Sequence, residues 1–254
     1  MPHRHGGRVP RVVFLSLLLT AFALPGCDVW SPPLPTAAET DAGLIVLYPG
    51  ALNTRTEMIG TYYGLRDAGL EQAIEVRPWG DPFGHIVNVV AQAAAARQAA
   101  VLEAERLHQY MLTHPSAPVT LIGYSDGAQF AAWVAEALPA DAPPLSRVIL
   151  LSASMSPDYD LRPAMNRTQH GAAAYWSPRE QTPVFLLGII GILDGSAPPP
   201  AGTAGFTLTD ERLVQLMWTP DMAEQYDQNG EHPDYIFKPA WITAYIAPWV
   251  PRSR

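Results

Sequence analysis

Two rhythms of apolar and polar positions alternate along most of this chain. Short β-type runs at residues 43–48, 73–79, 119–124, 146–153 and 171–177 are too brief for helices and predict buried strands. Between them lie stretches with helical spacing: residues 57–67, an Ala-rich run from about 83 to 113, and 127–138. Residues 211–218 predict a further strand running into a polar late loop, and 240–250 a last helix. Strands that alternate with helices predict a mostly parallel sheet covered on both faces, an α/β fold in a single domain. The Leu, Val and Ala spacing of the 83–113 run suits burial against that sheet rather than a partner-binding role. No internal repeat interrupts the pattern.

The run at 119–124 passes into Gly-Tyr-Ser-Asp-Gly, residues 123–127, and a helix-forming run leaves it. Strand, sharp turn and helix around a central serine form a nucleophile elbow. The turn strains the backbone of its central residue, so the positions two before and two after must lack bulk. Gly123 and Gly127 meet that need, and Ser125 stands at the apex. A serine hydroxyl is a poor nucleophile at neutral pH, so Ser125 requires a histidine to take its proton and a carboxylate to orient that histidine.

The chain resembles the α/β-hydrolases, and in particular compact serine-hydrolase-like proteins of bacterial envelopes. The resemblance rests on Pro49 and Gly50, the elbow at 123–127, Ser-Pro-Asp-Tyr-Asp at 156–160, the strand end from Tyr175 to Glu180, and Gly230 with His232. It covers about residues 43–250. Two departures from its pattern are Trp176, an extra residue in the aromatic-Ser-Pro spacing, and Glu180 where an Asp is expected. The resemblance implies an α/β-hydrolase fold and cleavage of an acyl bond, without identifying the acyl compound.

The chain order in that fold is Ser, acid, His, and only His170 and His232 follow Ser125. His232 is the candidate base: it lies in the polar segment 229–233, where a late loop can swing back over the elbow. His170 leaves no room for an acid-bearing strand before it. Glu180, just past the 171–177 run, sits where catalytic groups gather at the carboxyl ends of parallel strands and is the candidate acid. Asp194 is the runner-up acid. Asp158 and Asp160 read as helix-capping residues. For the oxyanion, one donor is the backbone N–H of Asp126 and the other is that of Ala51, with Leu52 if the loop after Gly50 is shifted by one. The Asp126 carboxylate beside a developing negative charge should hinder catalysis unless it points away or is paired.

The amino terminus carries a separate message. Arg4, Arg8 and Arg11 precede an apolar run at 12–24, of signal-peptide length and short of the roughly twenty residues that span a bilayer. Leu-Pro-Gly-Cys at 24–27 resembles a bacterial lipoprotein processing box, with Cys27, the sole cysteine, as the site of lipid attachment. The expected organisation is therefore a signal peptide over 1–26, a Pro-rich tether over 27–42 and a hydrolase domain over 43–254. The tether is expected to be stiff and extended, at about 3 Å per residue. Loss of residues 1–26 would remove three arginines and no acids, taking the formal charge from −8 to −11. An acidic body argues against nucleic acid and against broad attraction to anionic membrane.

These features predict a lipid-anchored serine hydrolase of the bacterial cell envelope, facing the periplasm or exterior, with a Ser125–His232–Glu180 triad and no cofactor or metal. Carboxylic esters are the expected substrates, lipid or polyester acyl groups among them. Thioesters and amides use the same apparatus. The alternative is a catalytically inert envelope protein that keeps the fold as a binding platform. The Pro-rich stretch 196–205 is expected to be a loop at the rim of the substrate site. The Gly188, Gly191 and Gly195 spacing reads as turn chemistry rather than a nucleotide loop.

Overall fold

The computed structural model describes residues 29–80, 89–180, 194–196 and 199–252, with side-chain detail in the long helix from residue 93. Six strands form one parallel sheet in the order β2-β1-β3-β4-β5-β6. They are β1 (Leu44–Tyr48), β2 (Ala73–Val76), β3 (Val119–Tyr124), β4 (Arg147–Leu151), β5 (Ala172–Trp176) and β6 (Leu213–Met217). Each lies within a run read from the sequence as a strand.

Period-two alternation sorts each central strand into two cores. Leu44, Val46, Leu121, Val148, Leu150, Ala172 and Ala174 enter one cluster; Ile45, Leu47, Ile122, Ile149, Leu151, Ala173 and Tyr175 enter the other. With both faces covered, these strands are apolar except for Thr120 and Arg147, the signature of a buried parallel sheet. The first face is covered by α3 (Val89–Thr113), α4 (Asp126–Ala137) and the short α5 (Arg162–Met165). The second is covered by α2 (Ile59–Asp67) and the C-terminal segment from Tyr235 to Val250. The long helix begins at Val89; residues 83–88 of its expected span lie outside the described residues.

Three expectations change. Within the stretch read as an extended tether, Ala37–Ala42 forms helix α1, closed by a capping box in which Thr36 and Glu39 satisfy each other's backbone N–H groups. Its Glu39 pairs with Arg66 at 2.7 Å, and Trp30 packs edge-on against Tyr62 at 5.3 Å, so this segment lies on the body. Within the stretch read as a rim loop, Ala201–Ala204 forms helix α6 with Ala201 buried, packed at the carboxyl ends of β4 and β5. The final helix is broken into a helical turn, Pro239–Trp241, a π-helical segment, Ile242–Ile246, and a 3-10 turn, Ala247–Trp249. Pro248 lacks the N–H that an α-helix needs. The remaining short helices are α7 (Pro220–Tyr226) and α8 (Asp234–Phe237).

Candidate active site

The elbow forms where the sequence places it. Ser125 follows β3 and caps α4 with φ 55° and ψ −122°, a conformation that costs a non-glycine residue of order 1–3 kcal/mol and persists only when its surroundings enforce it. Enforcement comes from both sides: Ser125 N–H donates to the Leu151 carbonyl at 2.9 Å, and Ser154 N–H donates to the Ser125 carbonyl at 3.1 Å. A Cβ on Gly123 would meet the Gly127 carbonyl oxygen at 2.1 Å, which is why the strand and helix pass only with glycine there.

His232 arrives from the opposite end of the chain. Gly230, at φ 78°, packs against Ser177 and Trp218, and Gln228 and Asp234 accept backbone N–H groups of the loop, which turns it back over the strand ends. His232 Nε2 lies 3.1 Å from Ser125 Oγ, and its ring tilts against Tyr124 at 4.7 Å. Glu180 follows a tight turn after β5, where its N–H donates to the Ser177 carbonyl. Its Oε2 lies 3.4 Å from His232 Nδ1. The neighbouring Arg179 stacks on Trp218 instead of pairing with Glu180.

The competing residues are engaged elsewhere. Asp194 accepts the N–H groups of Ser156 and Ser196. Asp158 accepts from Thr207, and Asp160 pairs with Arg162. His170 is exposed at the start of β5, the end of the sheet opposite the elbow. Cys27, Gly188 and Gly191 lie outside the described residues.

The loop after β1 closes on the nucleophile. A Cβ on Gly50 would fall 3.1 Å from the Ser125 Cβ, so a glycine lets the loop approach without pressing on the nucleophile. Asn53 N–H donates to the Gly50 carbonyl at 3.0 Å, a turn in which Ala51 contributes no closing hydrogen bond. The N–H groups of Leu52, Asn53 and Thr54 are drawn to the Glu57 carboxyl.

No protein-family model matches the chain, and no curated protein matches it. Solved structures do. Aspergillus fumigatus lipase B is 12% identical, with a TM-score of 0.50 over 85% of this chain and 54% of that one, so the chain spans about half that lipase. An extracellular α/β-hydrolase from a Paenibacillus species is 11% identical, covering 82% and 99% with a TM-score of 0.49. The RedJ thioesterase from Streptomyces coelicolor is 15% identical over 97% and 98% with a TM-score of 0.45. The chain has an α/β-hydrolase fold.

Within this α/β-hydrolase fold the site is electrostatically unusual. Glu57 is buried and its carboxyl is pushed up to about 8, first by burial and then by the nearby Asp126 charge, against the backbone N–H groups that favour ionisation. Glu57 is therefore largely protonated at neutral pH, which limits negative charge around the loop. Asp126 is itself buried, at 1% exposure. Burial also raises Glu180, opposed by His232 and Ser152. Among the described residues no cluster of His, Cys, Asp and Glu is arranged to hold a metal ion.

Sequence reading missed two serines. Ser152 Oγ donates to Glu180 Oε2 at 2.7 Å and contacts His232 Nδ1, and Ser154 Oγ lies 3.0 Å from Ser125 Oγ. Both are buried. The available signal was two hydroxyl residues, two apart, at the carboxyl end of the strand beside the elbow strand.

Proposed function

We propose that this protein is a serine hydrolase that cleaves an acyl bond, most simply a carboxylic ester. The observation that carries the reading is the Ser125 Oγ to His232 Nε2 distance of 3.1 Å at a strained elbow, with a buried acid behind the ring. In this reading Ser125 attacks the carbonyl carbon while His232 Nε2 takes its proton, then returns it to the leaving alkoxide. The tetrahedral oxyanion is held by the N–H groups of Ala51 and Asp126. Water, activated by the same imidazole, then releases the acid and restores Ser125. Glu180 stays ionised and keeps the ring in its Nδ1–H tautomer.

Cys27 is the proposed lipid attachment site and the bacterial cell envelope the proposed location, supported by the apolar run at 12–24 ending in Leu-Pro-Gly-Cys. Among the described residues no helix is long and apolar enough to cross a membrane.

Labelling with a fluorophosphonate probe tests the chemistry. The wild type should label, and Ser125→Ala and His232→Ala should not. A folded wild type that never labels overturns the hydrolase reading in favour of a binding platform.

A further inference from the structure

The link from His232 to Glu180 is not a single hydrogen bond. At 3.4 Å the direct Nδ1 to Oε2 contact lies at the weak end of N–H···O geometry. Ser152 fills the gap, its Oγ 2.7 Å from Glu180 Oε2 and in hydrogen-bond contact with His232 Nδ1. A hydroxyl has one proton and two lone pairs. With that proton given to the Glu180 carboxylate, Ser152 has only a lone pair to offer the ring, so Nδ1 must carry the hydrogen. That tautomer leaves the Nε2 lone pair facing the Ser125 hydroxyl. We propose that Ser152 is a positioning residue, the hydroxyl bridge that couples Glu180 to His232, so that the relay has four members: Ser125, His232, Ser152 and Glu180. The proposal rests on the hydrolase reading.

The backbone gives an independent reason. Ser152 sits at φ 50°, in the left-handed region that a residue with a Cβ disfavours. The fold holds it there. Ser152 N–H donates to the Tyr175 carbonyl at 3.0 Å, and α6 clamps the exit of β4 through Gly202 N–H to Ala153 and Ala201 N–H to Met155, both at 2.8 Å. Gly202 approaches so closely that a Cβ on it would fall 2.6 Å from the Ser152 carbonyl carbon. Glycine would suit position 152 better on conformational grounds. What glycine lacks is the hydroxyl.

The bridge needs no extra proton movement. As Ser125 attacks, its proton moves to Nε2 and the ring becomes imidazolium. Nδ1–H goes on donating to Ser152 Oγ, and Ser152 O–H goes on donating to Glu180, which remains a carboxylate. The growing positive charge strengthens the first bond, and the polarised hydroxyl strengthens the second.

Ser152→Gly separates this role from a structural one, because it removes the hydroxyl while relieving the strain. The expected result is a kcat lower by about ten- to a hundredfold, the factor associated with a hydrogen bond to a charged group, with KM within about twofold and Tm no lower than wild type. Ser152→Ala should give the same kcat loss at a Tm below that of the Gly variant. Imidazole ¹⁵N NMR should show His232 as the Nδ1–H tautomer in the wild type and a mixture of tautomers in both variants. A kcat within about twofold of wild type, a loss confined to one variant, or an activity loss with the tautomer retained each overturns the bridge. The spectrum reads His232 whether or not the protein turns over an ester. A wild type that fails to label, yet loses its tautomer preference in both variants, would sink the hydrolase reading and leave the bridge standing.

Discussion

Gly127 runs so close to Tyr48 that a Cβ at position 127 would fall 2.3 Å from the Tyr48 carbonyl oxygen. That is inside any van der Waals contact, and the clashing atom is backbone, which cannot rotate away. Gly127→Ala must therefore push α4 off β1 and with it the elbow. The expected loss is about 3 kcal/mol or more of stability, read as a lower urea midpoint, together with loss of phosphonate labelling. An Ala variant as stable as wild type would contradict the packing described.

Glu180 and Asp194 divide cleanly as candidate acids. In the proposed mechanism an amide at position 180 would neither fix the relay nor stabilise imidazolium, so Glu180→Gln should lower kcat by about 10³- to 10⁴-fold. Asp194→Asn should leave kcat within a few-fold, since Asp194 serves the N–H groups of Ser156 and Ser196. Ester-hydrolysis rates of the two variants, side by side, decide the assignment.

Stability should fall as pH rises through neutrality. Glu57 moves from an ordinary 4.5 to about 8 in the folded protein. Between those values the folded state holds a proton that the unfolded chain has released, so unfolding becomes easier as pH rises from 4.5 towards 8. Glu180, also raised, contributes with the same sign. Each unit is worth about 1.4 kcal/mol, so the decline attributable to Glu57 is a few kcal/mol. Glu57→Gln should flatten it, seen as urea midpoints at pH 5 and pH 8.5 that converge relative to wild type. A midpoint difference as large as the wild type's would show that Glu57 is not the group responsible.

Trp30 should matter for stability although it lies before the sheet begins. Its ring packs on Tyr62 at 5.3 Å and Tyr63 at 6.0 Å. Trp30→Ala should cost about 1–2 kcal/mol and lower Tm by several degrees, without changing kcat. An unchanged melting temperature would restore the segment to a free tether.

The central strands were readable because burial on both faces makes them largely apolar, and the elbow because its two glycines answer a steric demand local in sequence. Even β5, whose Ala172, Ala173 and Ala174 are poor strand formers, was legible from its bounding Gly171 and Ser177. That His232 and Glu180 lie together beside Ser125 was legible from chain order and strand ends. What escaped was set by tertiary contact. Ser152 is a serine at the end of an apolar run, and its hydroxyl finds partners only when Glu180 after β5 and His232 on the late loop fold back beside it. Helix α1 did carry a local signal, Thr36 with Glu39 three residues on, masked by the prolines before it. The last helix breaks towards Pro248, and Ile242 at the start of its π-helical segment packs closely on Gly64, a contact between residues far apart in sequence.

The docking of Trp30 onto α2 also sets a distance. Only Asp28 and Val29 separate Trp30 from Cys27, and three steps of fully extended chain at about 3.5 Å each keep the Cys27 Cα within about 10 Å of the Trp30 Cα. The proposed anchor on Cys27 would therefore act as a short leash, holding the Trp30 flank of the protein against the bilayer and leaving little freedom for the body to turn over.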